Sequence, residues 1–73
     1  MSEKKGYPKL GEIWQYWDHV PALIVSIDFS EEYNSDVATL MYLGVNPWSG
    51  KPMRNGTQPI TTMREMAAWK RIG

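Results

Sequence analysis

Pro21-Ala22-Leu23-Ile24-Val25-Ser26-Ile27-Asp28-Phe29 is the stretch that decides the fold. It is rich in β-branched and aromatic residues, which fit a pleated, half-buried surface. Leu23, Val25, Ile27 and Phe29 fall on one face at period two, with Ser26 and Asp28 on the other. This pattern predicts a strand over 22–29 and makes Leu23, Val25 and Ile27 the expected core. Ile24 interrupts the alternation, so the second face is expected to be partly covered as well. Pro21 sits at the strand start, where its missing N–H does least harm.

Working outward, Glu12 to Trp17 reads as the preceding strand, opened by Leu10-Gly11 and closed by Asp18-His19. Ser30 to Asp36 is polar and contains Asn34-Ser35, so it reads as a hairpin loop. Val37 to Leu43 is the next strand. Its two apolar sets, Val37, Met41 and Leu43 or Ala38, Leu40 and Tyr42, leave the inward face open, and such strands are usually central. Gly44 to Pro59 is dense in chain breakers. Asn55-Gly56 favours a type I′ turn there, with Lys51 to Arg54 as a short irregular strand and Ile60-Thr61 as a brief fourth one. Thr62-Met63-Arg64-Glu65 matches a capping box and predicts a short helix from Met63 to about Ala68. Trp69 to Ile72 closes as a last strand. The expected fold class is all-β: a small SH3-like barrel of about five short strands with one helical turn before the last. A five-strand barrel of the OB kind is the alternative. Residues 1–9 are expected to form a flexible arm and residues 10–73 the domain.

With 73 residues the chain has room for one domain. It has no Cys and a single His, His19, which removes disulfides and disfavours zinc. No metal or cofactor is expected. The start of the chain is polar with no apolar stretch behind it, so no signal peptide is expected, and the longest apolar run, Ala22 to Val25, is far too short for a membrane span. A cytoplasm-like compartment follows as the expectation.

Net charge is zero but unevenly spread. Residues 1–9 carry +2, residues 10–50 carry −6 with no Lys or Arg, and residues 51–73 carry +4. Either the basic third folds against the acidic middle, or the surface is bipolar and steers a charged partner. Nucleic-acid binders normally show a clearly basic domain.

No motif points to catalysis. Asp18-His19 pairs a His with a carboxylate but has no nucleophile at a fitting distance in sequence. Ser26 and Ser30 lack a Gly-x-Ser-x-Gly context. Glu31, Glu32 and Asp36 do not have calcium-loop spacing, and Lys51 between Gly50 and Gly56 is in no phosphate-binding loop. The four Trp and four Tyr are the informative set. In the first strand Ile13 and Trp17 share one side, Trp14 and Tyr16 the other, so one side is expected to show aromatic surface unless the arm covers it. Trp48 stands among the breakers near Lys51 and Arg54, either tucked back as a loop anchor or offered to a partner. Trp, Tyr and Arg are the residues enriched at interface hot spots. Trp69 is expected inside. The expected partner surface is therefore Trp48, Lys51 and Arg54 with Trp14 and Tyr16.

Two resemblances bear on these residues. Leu10-Gly11-Glu12-Ile13, Pro21-Ala22-Leu23-Ile24-Val25, Tyr42-Leu43-Gly44 and Trp69 to Ile72 together resemble small SH3-like barrel proteins of tailed bacteriophages. That resemblance implies a viral accessory protein, in the virion or in the host cytoplasm, that binds a viral or host protein. Gly11-Glu12-Ile13-Trp14 followed by Pro21 to Ser26 is similar to the start of MazF/PemK-type toxin ribonucleases, which are also SH3-like barrels. Val20 stands where that family places a basic residue, Tyr42-Leu43-Gly44 stands where it has Thr or Ser, and Pro59-Ile60-Thr61 falls too late. The chain is therefore expected to be a non-enzymatic protein-interaction module that forms homo-oligomers or binds another protein. Nucleic-acid binding by an SH3/OB-like barrel and a degenerate MazF-like ribonuclease are the alternatives.

Overall fold

The computed structural model of the protein describes residues 6–73. Residues 1–5 of the expected arm lie outside them. In chain order the elements are β1 (Ile13–Tyr16), β2 (Ala22–Ser30), β3 (Ser35–Tyr42), β4 (Gly56–Pro59), α1 (Ile60–Glu65) and β5 (Trp69–Arg71). They form one antiparallel sheet in the order β4-β3-β2-β1-β5. The all-β class, the five strands and the single short helix before the last strand agree with the sequence reading. β2 and β3, apolar on both faces, are interior strands as such patterns require. β4 and β5 are the two edges, and α1 lies against β3, β4 and β5.

The inward face is not the one the alternation of β2 points to. Trp14, Ala22, Ile24, Ala38, Leu40, Met63 and Trp69 form the buried core, with Tyr16, Ile27, Tyr42 and Ile60 packed against it. Val25 is 40% exposed, and Leu23 pairs with Ile13 and Met41 on the opposite face. The expected core of Leu23, Val25 and Ile27 is thus corrected to Ile24 and Ile27. The cause is a β-bulge: the β2–β3 register runs Ile24↔Leu40, then Ser26↔Thr39 and Ile27↔Ala38, leaving Val25 as the extra residue. One extra residue reverses which parity faces in. Ile24, the residue that broke the alternation, is the inward one. Of the two apolar sets in β3, the inward one is Ala38 and Leu40, with Tyr42 beside it.

The helix begins earlier than the capping box implies. Pro59 precedes it at φ −59°, and no side chain caps its start. Proline has no N–H to satisfy and a φ already near the helical value, so the turn forms directly after it. Thr62 is consequently inside the helix, its carbonyl accepting from the Met66 N–H at 3.0 Å. Ile60-Thr61 is helix, not strand, and the fourth strand is residues 56–59. Asn55-Gly56 is not a type I′ turn, since neither residue has positive φ. Gly56 instead opens β4 against the Tyr42 ring, where a Cβ would lie 3.2 Å from the Tyr42 hydroxyl.

The C-terminal end of the chain is bonded to the start of β1. The Ile13 N–H donates to the Gly73 carbonyl at 3.0 Å, and the Ile72 N–H donates to the Ile13 carbonyl at 2.8 Å. Beside them Glu12, its side chain 13% exposed, bonds Arg71 Nη1 at 3.3 Å. The same carboxylate accepts from the Lys9 backbone N–H at 2.9 Å and from Trp14 Nε1 at 3.0 Å. Pro8 is buried, and the Arg64 guanidinium lies 4.3 Å from the Tyr7 ring, so residues 7 and 8 of the expected arm pack on the domain.

Partial burial disfavours the Glu12 charge, but the Trp14 and Lys9 hydrogen bonds and the Arg71 charge outweigh it, and its carboxyl titrates below the ordinary 4.5. A folded value below the unfolded one stabilises the fold above the ordinary pKa, and that stability is lost as pH falls through the lowered value. Glu12→Ala is therefore expected to lose about 1.5–3 kcal/mol at neutral pH, the range for hydrogen bonds to a charged group. The gap to the parent should close as the parent is acidified below pH 4.5. Urea midpoints of both proteins across that range check it; a gap that stays constant with pH refutes the role.

Candidate functional site

The run from Gly44 to Asn55 is a compact structure of its own. Val45 bridges Pro52, the Asn46 N–H donates to the Lys51 carbonyl at 2.9 Å, and the Gly50 N–H donates to the Asn46 carbonyl at 2.7 Å. The Asn46 side-chain oxygen accepts from the backbone N–H groups of Trp48 at 2.8 Å and Ser49 at 3.3 Å. An Asn side chain that bonds the backbone two residues on is an Asx-type turn. Gly50 completes it at φ +70°, a conformation open to a residue without Cβ. Held at the tip of this turn, Trp48 is 88% exposed.

Trp48 forms one wall of a cleft of about 590 Å³. The β1–β2 connection supplies the other wall through Asp18, His19 and Val20, and Met53 lines it from the loop. That connection is shaped by Trp17, which leaves the strand at φ +53° and turns its ring to solvent. The His19 N–H donates to the Tyr16 carbonyl at 2.9 Å, and Gln15 Nε2 donates to the His19 carbonyl at 2.7 Å, so the turn is braced on both sides. His19, Val20 and Met53 also line a second hollow of about 360 Å³, which continues the cleft towards Tyr16, Tyr42 and Trp69. Side chains from β1, β3, β4 and β5 share this hollow, so the sheet curls around it. Tyr16 stands edge-on to Trp69 with ring centroids 5.2 Å apart, and the His19 ring lies 5.3 Å from Tyr16. The whole is an aromatic groove running from an exposed Trp to the rim of the core.

Of the expected surface residues, Trp48 and Tyr16 border this continuous groove. Lys51 and Arg54 are exposed on the Trp48 loop and are not among the residues that line the cleft. Trp14 is a correction: it is 1% exposed, at the centre of the core, because its position in β1 faces inward and the sheet curls over it. Trp69 is buried as expected. His19, Val20 and Met53 were not singled out as groove residues. Asp18-His19 carried a signal only as a His–carboxylate pair, and a lone Met among breakers carries none.

The groove offers apolar and aromatic contact with few fixed polar groups: Gln15, Asp18, His19 and Asn46 on the cleft, Gln58 in the inner hollow. Among the described residues no group of three or more His, Cys, Asp or Glu side chains is placed to hold a metal ion, and no helix is long and apolar enough to cross a membrane. Compared with known proteins, the chain matches no family model, and neither curated proteins nor solved structures give a match.

Proposed function

We propose that the protein is a non-enzymatic protein-interaction module whose partner seats on the Trp48 loop and the groove beside it. The observation that carries this reading is Trp48 itself. An indole ring 88% exposed on a hydrogen-bonded turn is costly to leave in water, since each Å² of apolar surface buried yields about 25 cal/mol. The turn is ordered before any partner arrives, which lowers the entropic cost of binding. Lys51 and Arg54 on the same loop add a charged rim, the arrangement in which an aromatic anchor is ringed by polar groups. The resemblance to small phage barrels supports a viral accessory role, in the virion or in the host cytoplasm, with a viral or host protein as partner.

Trp48→Ala is expected to weaken partner binding by about 2 kcal/mol or more, as hot-spot truncations do. Its melting temperature should stay close to the parent's, because the residue is 88% exposed. Affinity and melting are measured on the same variant, with the partner recovered from the native source. A stable variant that binds as tightly as the parent sinks the proposal.

The second reading, a single-strand nucleic-acid binder, is favoured by the same Trp with two cations, the pair that stacks bases and holds phosphates. It predicts affinity for RNA or single-stranded DNA that falls steeply with salt.

A further inference from the structure

We propose that the groove beside Trp48 takes a second copy of this chain, entered by the tip of that copy's β2–β3 hairpin. The inference rests on the groove's being a protein-binding surface, as above, and names its occupant. Three features carry it.

The first is the shape of the hairpin. β1 pairs with β2 only at Ala22 and Leu23 and reaches Ile24 through backbone hydrogen bonds. β4 pairs with β3 no further towards the tip than Val37. Residues 28–36 therefore project past both neighbouring strands as a two-stranded finger, narrow enough to enter a concave site.

The second is charge. The finger carries Asp28, Glu31, Glu32 and Asp36, all exposed, and no cation. The loop that presents Trp48 to the groove carries Lys51 and Arg54, both exposed, and Asp18 is the single carboxylate that lines the cleft. The cleft opens beside the Ala22 end of β2, and Asp28, the nearest of the four carboxylates along the strand, lies six residues away, roughly 20 Å at about 3.3 Å per residue. That is beyond the screening length of about 8 Å in physiological salt, so the ends do not neutralise each other within one molecule. Two molecules arranged head to tail bring them together.

The third is the chemistry of the tip. Phe29 is 62% exposed and Tyr33 51% exposed on the acidic finger. They give an aromatic payload to a groove lined by Trp48, Tyr16 and Tyr42, and edge-to-face ring contacts are favourable there. Exchanged reciprocally such a contact closes as a two-fold dimer, and made in one direction only it propagates into rings or chains.

Sedimentation at rising concentration, up to about 0.5 mM where weak contacts become populated, tests the proposal. The parent is expected to associate at about 0.1 M salt and to dissociate at about 1 M, where screening shortens to about 3 Å. Glu31→Lys with Glu32→Lys, and separately Lys51→Glu with Arg54→Glu, should each weaken association roughly tenfold or more, since like charges then meet. Mixing the two double variants should restore it, because each reversed finger then faces a reversed groove. That rescue also shows that both variants are folded. A parent that is monomeric throughout, association that neither reversal weakens, or a mixture that stays monomeric overturns the proposal. A monomeric parent leaves the interaction-module reading standing, which fails instead on the Trp48→Ala affinity.

Discussion

Trp14→Ala is expected to cost about 3–5 kcal/mol, the range for truncating a buried aromatic. Trp14 is the largest fully buried side chain, at the middle of a core of only seven residues. Its Nε1 also donates to Glu12, which holds Lys9 and Arg71, so the substitution loosens the junction of the two chain ends as well. A chain of 73 residues has a total stability of about 4–11 kcal/mol by the usual per-residue range. The loss is thus a large share of the whole, and the melting temperature should fall by about 15–30 °C. Calorimetry or a thermal circular dichroism scan reads it. A variant melting within a few degrees of the parent would mean that Trp14 is not the centre of the core.

The second expected result is a contrast between neighbours. Ile24→Ala should cost about 2–5 kcal/mol, as for a fully buried aliphatic residue. Val25→Ala should cost under about 1 kcal/mol, in keeping with surface positions. The bulge makes the difference. Ile24 lies opposite Leu40 inside the curled sheet, whereas Val25 is the residue without a partner in β3. A deletion of Val25 should likewise be tolerated better than a deletion of Leu23 or Ile27. Removing the extra residue leaves Ile24 and Ile27 on the same face, but removing either neighbour shifts inward side chains outward. Equal costs for the two alanine variants, or a larger one for Val25, would restore the simple alternation.

That contrast shows where the sequence is legible. Strand positions were readable because β-branched runs bounded by Gly, Pro and Asn have few other uses, and β2, β3 and β5 fall close to their expected bounds. Facing was not. A bulge leaves no mark on composition, and the only trace of it was Ile24 in a place that period two assigns to a polar residue. The helix start was misplaced because a Thr-x-x-Glu pattern and a Pro both announce a helix, and the fixed φ of Pro59 took precedence over the Thr62 hydroxyl. In the groove, Trp48 was legible from its breaker-rich context, and so were the flanking cations. His19, Val20 and Met53 were not, because they meet only when the β1–β2 connection and the Gly44–Asn55 loop are brought side by side by the curl of the sheet.

The junction at Ile13 has a mechanical consequence. Once residues 7–11 are stripped from the domain, the remaining points of attachment are Ile13 and Gly73, neighbours in space across one antiparallel pair. A load applied at Ile13 and Gly73 acts at the mouth of the β1–β5 ladder and across its rungs, since antiparallel hydrogen bonds lie perpendicular to the strands. The ladder opens as a zipper, one rung at a time, from Ile13 and Gly73 towards Trp17 and Ala68. Along that path the strand being peeled carries Trp69 out of the core and away from Tyr16. Tension on the ends would thus dismantle the inner wall of the groove before it reached the long β2–β3 ribbon, and a partner seated there would be let go by pulling alone.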